Sequence, residues 1–235
     1  MLARVALLIS FPLEMTTWSA PAPLFSATAF SFHDALAITF GGLPAADAVS
    51  GASLLGHLKT ELLRGTSVEQ AAIGHFDPAL ASVGMRIGSM GESSAALLAA
   101  GGALLLWLRA ITWHIPVAML LGIAVPAAAL HGVDPAHYAG PMLHLLSGSV
   151  ILGAFFIATD PVTSPSSRGG QLVFGAGCGL ITYIIRTWGG YPEGVAFAVL
   201  LMNAATPIID RYLRPRVYGR SRRGASLATD PASKS

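Results

Sequence analysis

The chain has 235 residues, 53% hydrophobic and only 11% charged, with a mean hydropathy of +0.63; soluble domains carry roughly 25% charged residues, so this is the composition of a membrane protein. The formal net charge is +2, and 7 of the 14 Lys and Arg follow Ile209, which excludes a nucleic-acid-binding face and reads as a topology signal. A single cysteine, Cys178, excludes an intrachain disulfide and any multi-cysteine zinc or iron–sulfur site built from this chain alone.

The chain opens on MLARVALLISFP. Arg4 and the short apolar run imitate a signal peptide, but no convincing small-x-small cleavage site follows Phe11. The run from Val5 to Phe11 is also far shorter than the roughly 20 residues a spanning helix needs. Residues 1–11 therefore read as the end of a transmembrane helix. Residues 12–92 are mixed in polarity, contain no apolar run of spanning length, and are expected outside the hydrocarbon.

Five apolar segments then follow in quick succession, near 94–108, 115–130, 142–159, 171–187 and 194–209. They make residues 93–210 a five-helix membrane domain, and residues 211–235 a basic tail. The first two segments are short, with Trp107, Trp113 and His114 marking a shared interfacial end. The connections DPVTSPSSRGG and WGGYPEG are short and predict antiparallel neighbours. The fold expected is an all-α polytopic membrane protein, with about five complete transmembrane helices plus the end of a preceding one.

Orientation follows from the loops. Arg109, Arg168 and the tail fall on one side, whereas HGVDPAHYAG and WGGYPEG on the other contain no Lys or Arg. The tail side is cytoplasmic by this count. Residues 12–92 then lie on the opposite, external face, periplasmic in a bacterium, although Lys59, Arg64 and Arg86 run against the count.

Several residue groups are candidates for chemistry. In DAVSGASLLGHLK, residues 47–59, Ser50 or Ser53 can cap a helix starting near Leu54, whose apolar face is Leu54, Leu55, Leu58 and Leu62, with Lys59, Glu61 and Arg64 off that face. A hydroxyl at a helix N-terminus, flanked by Gly51 and Ala52, is also an accessible acceptor for a phosphate ester, whose charge free N–H groups and the helix dipole would stabilise. Asp47, Ser53 and His57 include the residue types of a hydrolytic triad, but they lie within eleven residues and lack a nucleophile elbow, so that reading is set aside.

His131, Asp134 and His137 have metal-ligand chemistry, but Pro135 breaks regular helical presentation; they read as loop residues, and no metal site is expected. Asp160 and Thr163, in DPVTSP, either satisfy a turn that Pro161 imposes or contact a polar ligand. Gly175 and Gly179 form a GxxxG whose usual meaning is close helix packing, beside which Cys178 reads as a small buried hydrophobe. No dinucleotide fingerprint or P-loop occurs.

Taken together, LLISFP, DAVSGASLL, HLLSG, GAFFIATDPVTSP and RTWGGYPEGVAFAVLLMNAATPIIDRYLRPRVYG resemble one family, that of the RnfD component of the Rnf ion-translocating electron-transport complex and the NqrB component of the sodium-pumping NADH:quinone reductase. The resemblance runs from Leu8 to about Arg223. It implies FMN bound covalently, through a phosphoester to a hydroxyl residue in a D-x-x-[ST]-x-A-[TS]-like motif. That pattern maps onto Asp47, Ser50, Gly51, Ala52 and Ser53, with Ser53 the acceptor by position. The family's usual acceptor is threonine; serine offers the same oxygen without the methyl.

The resemblance also implies a second, noncovalent flavin such as riboflavin, with Asp160 and Thr163 as candidate contacts. It implies further Rnf-type membrane subunits as partners, a flavin transferase for maturation, and the bacterial inner membrane as location. Family members have additional helices before the flavin loop, so this chain is expected to start inside the last of them. The function expected is electron relay through covalent FMN, coupled to ion movement. Two alternatives stay open: a cofactor-free transporter or permease subunit, and an assembly fragment that does not turn over.

Overall fold

In the computed structural model of the chain, the residues described are 2–11, 17–18, 51–52, 54–72, 76–83, 94–191 and 193–213. Most of them are helical. Helix α1 (Leu2–Ser10) is followed by two short strands, β1 (Thr17–Trp18) and β2 (Gly51–Ala52), paired antiparallel with Thr17 opposite Ala52 and Trp18 opposite Gly51. Three short helices come next: α2 (Leu54–Leu63), α3 (Val68–Ala72) and α4 (Pro78–Val83). No helix described before residue 94 approaches spanning length.

The larger helices begin with α5 (Ala95–Trp107), capped by Ser94, whose Oγ accepts from the Leu97 amide at 3.3 Å. Then come α6 (His114–Val133), α7 (Pro141–Leu146) and α8 (Val150–Leu152), the last running into a π-helical stretch, Gly153–Ile157. Helices α9 (Arg168–Trp188) and α10 (Val195–Tyr212) complete the bundle. Ser167 caps α9, accepting from the Gly170 amide at 3.0 Å.

Each of the five apolar segments thus contains helix, but they are not equivalent. Among the described residues, α6 with 20 residues and α10 with 18 combine the length and composition of a membrane span. Helix α5 is apolar but has 13 residues, and α9 has 21 residues but interleaves Arg168, Gln171, Thr182 and Arg186 with its apolar positions. The third segment is not continuous. It breaks at Ser147–Gly148–Ser149, where Gly148 takes φ +63°, a left-handed conformation that glycine adopts without steric cost.

The core is built on α6 and α9, the most extensively packed pair. A Cβ at Gly175 would lie 2.6 Å from the Ile115 carbonyl, one at Gly122 would lie 2.7 Å from the Ala176 carbonyl, and one at Gly179 would collide with the Met119 carbonyl. The GxxxG reading is therefore met by backbone-to-backbone contact across this pair. Met119, Ile123, Phe174 and Cys178 are buried around it, as expected for Cys178.

Sequence neighbours predict pairing only in part. Helices α9 and α10 do pack together, but the third segment lies mainly on α6, and its π-helical stretch also touches α5 and α10. There Gly102 of α5 leaves the space that the Phe155 ring fills. Helix α1 packs against α10, with Val5 buried.

The bundle has two distinct ends. At one lie the start of α9, the end of α10 and the 158–167 connection, joined by Thr206 Oγ1 donating to the Thr163 carbonyl (2.9 Å) and the Ser166 amide donating to Asp210 Oδ1 (3.1 Å). At the other lie the α9–α10 turn, the α6–α7 loop, and helices α2 and α3, with the Val68 amide donating to the Ala136 carbonyl (2.8 Å).

Candidate functional site

The hydroxyl motif stands where β2 gives way to α2. Asp47, Ser50 and Ser53 lie outside the described residues, while Gly51 and Ala52 form β2 and Leu54 starts α2. The predicted apolar face of α2 exists. Leu55 and Leu58 are buried with Val68 and Ala71 of α3 and Leu143 of α7, and Leu54 and Leu62 pack against this cluster.

The first turn of α2 holds no acidic side chain.

Lys59 departs from its expected exposed position. Its Nζ donates to the carbonyls of Ile185 (3.2 Å), Gly189 (2.5 Å) and Tyr191 (2.6 Å), all at the C-terminal end of α9. The Ile185 carbonyl also accepts the Gly189 amide that closes the helix (2.9 Å), and the Gly189 and Tyr191 carbonyls lie just past its last residue. Burial first, and then the Arg186 charge, hold the Lys59 ammonium below the ordinary lysine pKa. Glu61 and Arg64, by contrast, form an ion pair three residues apart at the end of α2 (2.8 Å).

Behind Lys59 lies a cluster that composition alone does not reveal. Arg186, whose side chain is fully buried, donates from Nη1 to the His144 carbonyl (2.7 Å) and from Nη2 to the Ser147 carbonyl (3.0 Å). Its Nη2 also lies 3.4 Å from Glu193 Oε1, and Ser149 Oγ donates to Glu193 Oε2 at 2.7 Å. The guanidinium thus meets carbonyls at the end of α7, and the carboxylate meets the start of α8. The one available sequence signal is an arginine in the apolar run YIIRTW, which a membrane helix tolerates only with partners.

At the opposite end, Asp160 and Thr163 come together. Thr163 Oγ1 donates to Asp160 Oδ2 (3.1 Å) and the Val162 amide to Asp160 Oδ1 (3.4 Å), which completes a turn. Beside it is an open cleft of about 210 Å³, lined by residues that include Thr112, Thr159, Pro161, Ser164 and Gln171. That is below the roughly 300–1,000 Å³ of pockets that enclose drug-sized ligands. Neither Asp160 nor Thr163 lines the cleft.

Of the His131, Asp134 and His137 set, expected in a loop, His131 lies in the last turn of α6, while Asp134 caps that helix and His137 follows in the loop. His131 Nδ1 is 2.7 Å from the Tyr138 carbonyl and His137 Nδ1 is 2.8 Å from Asp134 Oδ2, and no cluster of three metal-ligating groups occurs among the described residues. The hydrogen bond from His137 is the main reason the Asp134 carboxyl titrates below its ordinary value.

Comparison with known proteins bears on the chain nearly end to end. It is 54% identical over 230 residues to the D component of the ion-translocating oxidoreductase complex of Halorhodospira halophila, covering 98% of this chain and 64% of that protein. It is 54% identical over 227 residues to the protein of the same name from Stutzerimonas stutzeri, and 45% identical over 234 residues to that from Yersinia enterocolitica. The chain spans about 64% of the length of these relatives. Residues 1–219 match the NQR2, RnfD, RnfE family, a stretch that takes in the hydroxyl motif, the docked α2 and the whole helical bundle. With that coverage and that identity, the chain belongs to the NQR2, RnfD, RnfE family.

Proposed function

We propose that this chain is the flavin-carrying part of a membrane subunit in an Rnf-type ion-translocating oxidoreductase, with FMN esterified through its phosphate to Ser53. The observation that carries the reading is the setting of the motif. A serine in D-x-x-S-x-A-S immediately precedes a helix whose first turn has no acidic side chain and whose apolar face is seated on α3 and α7. Identity to named oxidoreductase subunits supports the reading.

In this proposal FMN supplies the redox chemistry, and the chain supplies attachment, position and surroundings. Ser53 Oγ is the ester oxygen, and the small neighbours Gly51 and Ala52 keep it approachable by a flavin transferase. The α2 end of the bundle is periplasmic, because the opposite end carries Arg109, Arg168, Arg211 and the basic tail. Residues 12–92 form the external region and 93–210 the membrane domain of an inner-membrane protein, and electrons enter and leave through neighbouring subunits. Riboflavin near Asp160 and Thr163 is a second flavin in this proposal. The adjacent cleft would have to widen to admit it.

In-gel ultraviolet fluorescence after denaturing electrophoresis tests the attachment, with the protein expressed alongside a flavin transferase. A band at the subunit mass is expected for the parent chain, for Ser50→Ala and for Ser53→Thr, and none for Ser53→Ala. Undiminished fluorescence in Ser53→Ala would overturn Ser53 as the acceptor.

A further inference from the structure

We infer that Lys59 is a positioning residue: it locks the flavin-attachment helix to the end of a bundle helix, and so fixes the place from which a flavin on Ser53 exchanges electrons. The locking rests on geometry alone; the electron-transfer consequence rests on the flavin proposal above.

Lys59 Nζ has three N–H donors and meets three carbonyl oxygens, those of Ile185, Gly189 and Tyr191. These acceptors are 126 to 132 residues away in sequence, so the contact is tertiary and not a local cap. They sit at the negative end of the 21-residue helix α9, where an ammonium also meets the summed peptide dipole. A compact ammonium on a flexible stem can satisfy three convergent carbonyls, which the planar fork of arginine cannot.

Helix α2 then acts as a short rigid arm. From Leu54 to Lys59 it is continuously helical, so about 8 Å of rise separates its first residue from the lock. The apolar seat under Leu55 and Leu58 is non-directional, and the three hydrogen bonds give it a direction. Electron transfer falls exponentially with separation, so a loosened arm slows transfer without detaching the flavin.

Two measurements test this on the full chain in its membrane complex. The first is flavin-independent: spin labels on Leu63→Cys of α2 and Val133→Cys of α6, both sites well exposed, report the spread of distances between them. A narrow distribution is expected in the parent and a broadened one in Lys59→Met. The second is the rate at which the attached flavin is reduced by its partner subunits, expected to fall roughly ten- to hundredfold in Lys59→Met with in-gel flavin fluorescence retained. Lys59→Arg, which keeps the charge and protects against simple misfolding, is expected to give an intermediate broadening and an intermediate rate.

Unchanged label distances in both variants overturn the lock. Broadened distances with an unchanged reduction rate overturn the positioning role. A parent chain without in-gel fluorescence overturns the flavin proposal, while the label distances still decide the lock.

Discussion

At the scale of single residues, the arginine in α9 shows what a membrane bundle demands of a charge. Arg186 has no exposed side-chain surface, yet its donors meet the His144 and Ser147 carbonyls and Glu193. Truncating one member of a buried, hydrogen-bonded pair strands the others. Arg186→Met is therefore expected to lower stability by about 3–5 kcal/mol, read as unfolding in detergent. Glu193 is 24% exposed and keeps the Ser149 hydroxyl within reach after amidation, so Glu193→Gln is expected to cost distinctly less. Equal losses for the two variants would contradict this asymmetry. Arg186 is visible in the sequence only as an anomaly in an apolar run, because its partners lie on α7 and in the α9–α10 turn.

At the scale of elements, the α6–α9 pair shows a motif acting as its spacing suggests. Gly175 and Gly179 are legible as GxxxG, but the partner helix and its own Gly122 are not. Gly179→Val drives new atoms into the Met119 carbonyl and the Gly122 backbone, and is expected to destabilise by about 1–3 kcal/mol through overpacking. Gly169→Ala in the same helix has open space around the new methyl, and is expected to be neutral or to stabilise by up to about 1 kcal/mol. Thermal unfolding of the two variants side by side checks the pair.

The third apolar segment reads as one helix over 142–159 because hydropathy averages across Ser147–Gly148–Ser149. The break exists because Arg186 and Glu193 supply partners to the interrupted backbone, which an isolated apolar helix would lack.

At the scale of the whole molecule, the two ends of the bundle explain an awkward feature of the charge count. In the proposed topology Lys59 and Arg64 lie on the side that positive charge should avoid, but Lys59 is bound to the α9 carbonyls and Arg64 is paired with Glu61. Impermeant thiol labelling tests the orientation. Leu63 and Val162, 89% and 87% exposed, lie at opposite ends, and the native Cys178 is buried and contributes little background. Leu63→Cys is expected to label from the periplasmic side of intact cells, and Val162→Cys only after permeabilisation. The reverse pattern would invert the proposed topology.

By itself, the sequence determined the helical, membrane-like class, the positions of the apolar segments, the apolar face of α2, and the family resemblance. These are local properties: hydropathy and periodicity are set by residues within a turn or two of each other. Only the tertiary structure decided that α6 and α9 form the central pair, that the third segment breaks, and that Lys59 joins α2 to the end of α9. Those outcomes depend on backbone carbonyls, which every residue possesses, and on which glycines come to face another helix. Folding alone determines which of them stand within reach of a side chain.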